Sequence, residues 1–161
     1  MATKLNAARL LQQRRIPFTL LRYDSDDFHD AEAVAGLLGV PAAQVYKTLV
    51  LEAATGGKPA LALIAADRAL DLKRLAALSG QRKLRLAARD RAETLTGMQI
   101  GGISALALAH HRWPVWLDEA ANEHEELLLS AGERGQQLRL ATALLIQLTG
   151  ARVAAISRSP A

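Results

Sequence analysis

The sequence predicts an α+β fold in which hairpins and short helices are mixed along one domain of 1–161. Three observations carry this. Two adjacent apolar runs, Val45 to Glu52 and Pro59 to Ala66, flank the turn Thr55-Gly56-Gly57-Lys58, as in a β-hairpin. Short segments with helical periodicity recur between the strands, several of them closed by Gly. The 161 residues, half of them hydrophobic, suffice for one sizeable core, and no repeat or low-complexity linker divides them.

The elements follow in order. Lys4 to Arg14 has apolar residues at Leu5, Ala8 and Leu11, an amphipathic helix ended by Pro17. Phe18 to Tyr23 alternates as a strand. Asp30 caps a helix from Ala31 to Leu38, and Gly39 stops it. After the hairpin, Leu70 to Leu78 is a helix stopped at Ser79-Gly80, Lys83 to Leu86 a short strand, and Ala88 to Leu95 a helix. Ala105 to His110 is expected to be helical, with Ser104 able to cap it. Strands are expected at Trp113 to Asp118, Glu126 to Ser130 and Gln137 to Leu140. Ala141 to Leu148 is a helix closed by Gly150, and Val153 to Ile156 a last apolar stretch.

Composition removes several classes of function. There is no cysteine, which excludes disulfides, thiol catalysis and cysteine-zinc sites. His110-His111 does not make a metal site, because adjacent residues cannot share one face and no other ligand is close in sequence. No apolar run is long enough to cross a bilayer, and Met1-Ala2-Thr3-Lys4-Leu5-Asn6 lacks a signal-peptide core, so a cytoplasmic location is expected. The net charge of +4 is unevenly spread. Arg68, Lys73, Arg74, Arg82, Lys83, Arg85, Arg89 and Arg91 face only Asp71 and Asp90 across one stretch. Such a patch attracts a phosphate backbone, although a merely solvated surface would look the same.

Two motifs narrow the chemistry. Gly97-Met98-Gln99-Ile100-Gly101-Gly102-Ile103-Ser104 is a turn between apolar flanks, suited to presenting main-chain groups to a small polar or anionic ligand. Val45-Tyr46-Lys47-Thr48-Leu49-Val50-Leu51 is an apolar strand carrying one Lys. A Lys there needs a reason, unless the strand lies at an edge and the side chain reaches water. Trp113 and Trp116 are compatible with base stacking, but beside Pro114 they fit a core better.

These motifs, with Phe18 to Tyr23, Leu70-Asp71-Leu72-Lys73 and Ser130-Ala131-Gly132-Glu133-Arg134-Gly135, occur in the order found in a known family. The chain resembles the YbaK/EbsC family of aminoacyl-tRNA deacylases, which includes the editing insertion of bacterial prolyl-tRNA synthetases. The resemblance implies a mixed, partly barrel-like sheet flanked by helices. It implies hydrolysis of the ester joining a wrong amino acid to tRNA, Cys-tRNA(Pro) first, with no metal and no organic cofactor. It implies tRNA as partner, tRNA(Pro) above all, with a prolyl-tRNA synthetase as a second partner for some members. Carried over by position, Lys47 and Gly101 take the catalytic places. Tyr23, Gly102, Ile103, Ser104, Ser130 and Gly132 line the aminoacyl pocket. Lys73, Arg74, Arg82, Lys83 and Arg85 are the expected tRNA contacts.

The chain departs from that family at Ala105, where cysteine-editing members carry Pro, and at Ile64-Ala65, followed by Ala66-Asp67-Arg68, where they carry Thr-Pro. It departs again at Glu133, which replaces Lys, and at Gln137, which replaces Asp. These bear on amino-acid specificity. They also leave open a second reading, a non-catalytic module that holds tRNA ends or a small amino-acid-like ligand beside a synthetase. The absence of a nucleophile elbow, a Cys-His pair or a zinc helix is compatible with hydrolysis, because an aminoacyl ester is already activated and needs only a positioned water and oriented dipoles. Lys47 has two roles open to it, a cation for the terminal phosphate or ribose and a neutral base. The cation needs no costly pKa shift and is preferred.

Overall fold

The computed structural model describes residues 7–81 and 83–160. Its strands are β1 (Thr19–Arg22), β2 (Val45–Ala53), β3 (Ala60–Ala65), β4 (Ala69–Leu70), β5 (Leu84–Leu86), β6 (Val115–Asp118), β7 (Glu126–Ser130), β8 (Gln136–Ala141), β9 (Arg152–Ala154) and β10 (Ser157–Arg158). Its helices are α1 (Ala7–Gln13), α2 (Ala31–Leu38), α3 (Leu72–Ser79), α4 (Arg89–Thr96) and α5 (Thr142–Thr149). Strands and helices alternate irregularly, as the expected mixed α+β class requires.

The main sheet runs β1-β8-β7-β2-β3-β6-β9, with β5 paired to the far end of β2. β2 meets β3 antiparallel, as the hairpin reading predicts, and meets β7 in parallel. β2 is therefore an interior strand, so Lys47 does not escape to water at an edge. β3 is buried on both faces. Leu61, Leu63 and Ala65 join one apolar cluster, while Ala62 and Ile64 join a second beneath α3. Two-sided burial is why β3 reads as an unbroken apolar run rather than an alternating one. Each fully buried Leu contributes roughly 1.5–3 kcal/mol.

Helix punctuation follows the local rules. The Asp30 carboxylate accepts from the Ala33 N–H at 2.8 Å, and Gly39 ends α2 with φ +69°. Asp71 caps α3 through the Arg74 N–H in the same way. One expectation fails. Ala105 to His110 is a series of tight turns ending in a short 3-10 segment, not a regular helix. Ala105, Leu106, Ala107 and Leu108 are all buried. A uniformly apolar stretch has no polar face to present, and here burial on every side replaces helical periodicity.

No short-range pattern in the sequence signals the β4–β10 pair. Asp118 anchors it. The buried carboxylate accepts from the Ile156 and Ser157 N–H groups at 3.0 and 3.1 Å and from the Ser157 hydroxyl at 2.7 Å. Asp118→Ala leaves those donors unmatched beside the core. We expect a loss of about 3 kcal/mol, since hydrogen bonds to charged groups are worth ~1.5–3 kcal/mol each and are not additive. Chemical denaturation measures it; a loss under about 1 kcal/mol would show that the C-terminal strand is held by other contacts.

Candidate active site

The register of three neighbouring strands assembles the floor of a cavity. β2 and β7 pair through Val45–Leu128 and Tyr46–Leu129. The next residue of each, Lys47 and Ser130, lines the cavity. Ser130 pairs in turn with Gln137 on β8, which also lines it. The cavity holds about 200 Å³. One wall is Phe28 to Ala31 with Val34, from the start of α2, and the other is Ile100, Gly101 and Ile103.

Three loops lock together around it. The Ser130 hydroxyl donates to the Gly101 carbonyl at 3.5 Å. Arg134 Nε donates to the Ile100 carbonyl at 2.8 Å. The Tyr23 N–H donates to the Gly135 carbonyl at 3.0 Å. Within the glycine turn, the Ile100 N–H is held by Glu93 at 2.8 Å and the Gly102 N–H by the Gln99 carbonyl at 2.8 Å. The Gly101 N–H has no partner among the described residues. Gly101 itself has φ +92°, a conformation that favours glycine.

Polar groups in the wall are few. Lys47 is half-buried, and its Nζ donates to the Ala66 carbonyl at 3.4 Å. Gln137 is 5% exposed and its side-chain oxygen has no partner; nor does the buried hydroxyl of Thr48, another lining residue. Burial, reinforced by the Asp118, Glu123 and Asp67 carboxylates, pushes the Tyr46 phenol well above its ordinary range, so it stays protonated. The remaining wall is largely apolar.

The predicted residues divide into two groups. Lys47, Gly101, Ile103 and Ser130 come together in the cavity wall. Tyr23, Gly102, Ser104 and Gly132 are not part of it. Tyr23 stands one ring behind, edge-on to His29 at 6.4 Å between centroids. Gly102 is pressed against the Glu133 backbone. Ser104 is fully buried and accepts from the Ala107 N–H at 3.3 Å, a capping bond within the turns that follow. Ala105 is fully buried in the core.

The basic residues also separate. Lys83 and Arg85 are exposed on and beside β5, whereas Lys73 and Arg74 are exposed on α3. Arg74 borders a different, charged cleft with Asp67, Arg68 and Glu123. Arg82 lies outside the described residues. Trp116 is buried in the core, and Trp113 is stacked under His111 at 4.9 Å. Sequence reasoning missed Phe28, His29 and Thr48 as cavity residues, and knew Gln137 only as a departure. The usable signal was a lone aromatic in the acidic loop Asp24-Ser25-Asp26-Asp27-Phe28.

The chain is similar to several known proteins. Residues 25–148 match the aminoacyl-tRNA editing domain family. The chain is 34% identical over 155 residues to EbsC of Enterococcus faecalis, named a candidate Cys-tRNA(Pro)/Cys-tRNA(Cys) deacylase, covering 96% of this chain and 93% of that protein. It is 40% identical over 73 residues to the proline–tRNA ligase of Nitratidesulfovibrio vulgaris, 45% of this chain and 12% of the ligase. A crystal structure of a candidate trans-editing enzyme for prolyl-tRNA synthetase superposes with a TM-score of 0.80 at 25% identity, covering 99% of this chain and all of that one. With the family matched across most of its length, and its fold shared, the chain belongs to the aminoacyl-tRNA editing domain family.

Proposed function

We propose that the protein is an aminoacyl-tRNA deacylase that clears tRNA(Pro) of a small wrong amino acid, Cys first. The observation that carries this is the convergence of Lys47, Ser130 and Gly101 on one small, mostly apolar cavity. The names carried by EbsC and by the trans-editing structure support the choice of substrate.

In this reading the amino-acid side chain enters the apolar cavity with its ester carbonyl toward Gly101. Water attacks the carbonyl carbon, the bond to the ribose oxygen breaks, and that oxygen takes the proton given up by the water. The Gly101 N–H stabilises the charge developing on the carbonyl oxygen. Lys47, as a cation, holds the ribose or phosphate oxygens of the tRNA end. Arg134, bonded to the Ile100 carbonyl at 2.8 Å, fixes the turn, and the Ser130 hydroxyl approaches the Gly101 carbonyl beside it. A volume of about 200 Å³ readily admits a small side chain. One methylene is worth only ~1–3 kcal/mol in such a pocket, so we expect cysteine, serine and alanine esters all to be cleaved. A preference for cysteine of a hundredfold or more would show instead that the substrate thiol takes part.

The direct test is deacylation of Cys-, Ser-, Ala- and Pro-tRNA(Pro) by purified protein. Release of the first three but not of Pro supports the proposal, and tight binding with no turnover of any would favour the non-catalytic reading. Lys83 and Arg85 extend the tRNA surface along β5, with Lys73 and Arg74 as a second group on α3. Reversing Lys83 and Arg85 to Glu should weaken tRNA binding and flatten its dependence on salt, by roughly one unit of slope for each phosphate that is no longer neutralised. Affinity and salt slope equal to those of the wild type would make β5 an ordinary solvated edge. A synthetase for proline is the natural protein partner, given the stretch of proline–tRNA ligase that this chain resembles.

A further inference from the structure

The cavity mouth carries a cluster that the deacylation chemistry leaves unused. Phe28 lines the cavity yet is 45% exposed, unusual for a large apolar side chain beside a binding site. Two guanidiniums flank it. The central carbon of Arg134 lies 5.3 Å from the ring centroid and that of Arg89 lies 5.8 Å away. Neither arginine forms an ion pair among the described residues, whereas nearby Arg91 is committed to Glu52 at 2.9 Å. Two carboxylates of the same loop are occupied by the backbone, Asp24 with the Asp26 N–H and Asp30 with the Ala33 N–H. A half-exposed aromatic ring with two guanidiniums over it, neither of them in an ion pair among the described residues, matches a nucleotide, whose base stacks and whose phosphate takes charge-assisted hydrogen bonds.

We propose that Phe28, Arg89 and Arg134 seat the terminal nucleotide of the tRNA, the ring stacking its adenine and the guanidiniums holding the phosphodiester on its 5′ side. This rests on the deacylase reading of the cavity and says how the ester is delivered to it. Gly101 explains the placement. A Cβ placed there would lie 3.2 Å from the Phe28 ring, so the ring and the turn that meets the ester are in direct contact. A base stacked on Phe28 would therefore carry its ribose and acyl group to the cavity mouth. Arg134 has a second duty, since its Nε holds the Ile100 carbonyl; Arg89 has none and is the cleaner probe.

The test is binding of three uncharged tRNA(Pro) forms, one ending in CCA, one ending in CC with a 3′-phosphate, and one ending in CC with a free hydroxyl. The wild type should bind them in that order of decreasing affinity, with the base worth about tenfold, within the ~1–3 kcal/mol range of base–aromatic stacking. Phe28→Ala should lower the affinity for the CCA form to that of the 3′-phosphate form, and Phe28→Trp should keep the gap. Arg89→Gln should remove the advantage of the 3′-phosphate form over the hydroxyl form. Equal wild-type affinity for all three, or an unchanged gap in folded Phe28→Ala, overturns the proposal. Deacylation by the wild type is measured separately. A Phe28-dependent gap in a protein that hydrolyses no aminoacyl-tRNA would keep the nucleotide seat and remove the enzyme reading.

Discussion

Lys47→Ala is expected to lower kcat/KM for deacylation by at least about a hundredfold, the scale of losing one group that stabilises developing charge or positions the reacting ester, with the fold intact. Lys47 lies on an interior strand, half-buried, in the wall of an apolar cavity. Among the described residues the one hydrogen bond of its ammonium goes to the Ala66 carbonyl at 3.4 Å, too long to contribute much stability. A charged side chain in the wall of an apolar cavity, with so weak a hydrogen-bond partner, is better explained by a ligand than by folding. The variant should therefore melt within a few degrees of wild type, since about 1 kcal/mol moves the midpoint of a domain this size by roughly 2–4 °C. Lys47→Arg tests the geometry, because a planar fork does not replace a compact ammonium in a small cavity; partial activity is expected. Single-turnover hydrolysis and circular dichroism check the set. A folded Lys47→Ala protein with a near-normal rate would take Lys47 out of the mechanism.

Elements with local punctuation were legible in the sequence, and contacts between distant loops were not. α2 runs from Ala31 to Leu38 as predicted, because Asp30 and Gly39 act within a few residues of themselves. The β2–β3 hairpin was equally local. Residues 105–110 misled because their uniform apolarity says only that they are buried. The β4–β10 pair rests on Asp118 reaching residues 38 and 39 positions away, beyond the range of any local periodicity. The site divides in the same way. Lys47 announced itself as a charge in an apolar strand. Phe28 sits in a polar loop, and its value comes from Arg89, Arg134 and Gly101, which are far off in sequence. Gln137 became a wall residue only when the register set it opposite Ser130. Ala105, read from the sequence as a departure bearing on specificity, lies buried in the core.

Gly102→Ala is expected to damage both stability and catalysis, and it separates the two glycines of the turn. Gly102 does not need a positive φ, so the backbone tolerates Ala; the obstacle is space. A Cβ there would meet Glu133 Cα at 2.8 Å, the Glu133 carbonyl carbon at 2.9 Å and the Arg134 nitrogen at 3.0 Å. All three are backbone atoms and cannot swing aside as a side chain can. The loops must move apart, and the bonds from Ser130 to Gly101 and from Arg134 to Ile100 span that gap. Overpacking of this kind costs about 1–3 kcal/mol, or roughly 2–12 °C in a chain of this length. The shift displaces the Gly101 N–H, and a misplacement of about 1 Å is enough for a hundredfold loss of rate. Gly101→Val also hinders the site but by another route, a β-branched side chain forced to φ +92° against the movable Phe28 ring. Gly36→Ala is the control. It lies inside α2, its Cβ would meet nothing within 4 Å, and it should leave activity alone while adding about 0.5–1 kcal/mol. Thermal melts and single-turnover rates on the three variants decide the matter. If Gly102→Ala melts and turns over like wild type, the two loops do not touch at this point and the turn is not held by Glu133.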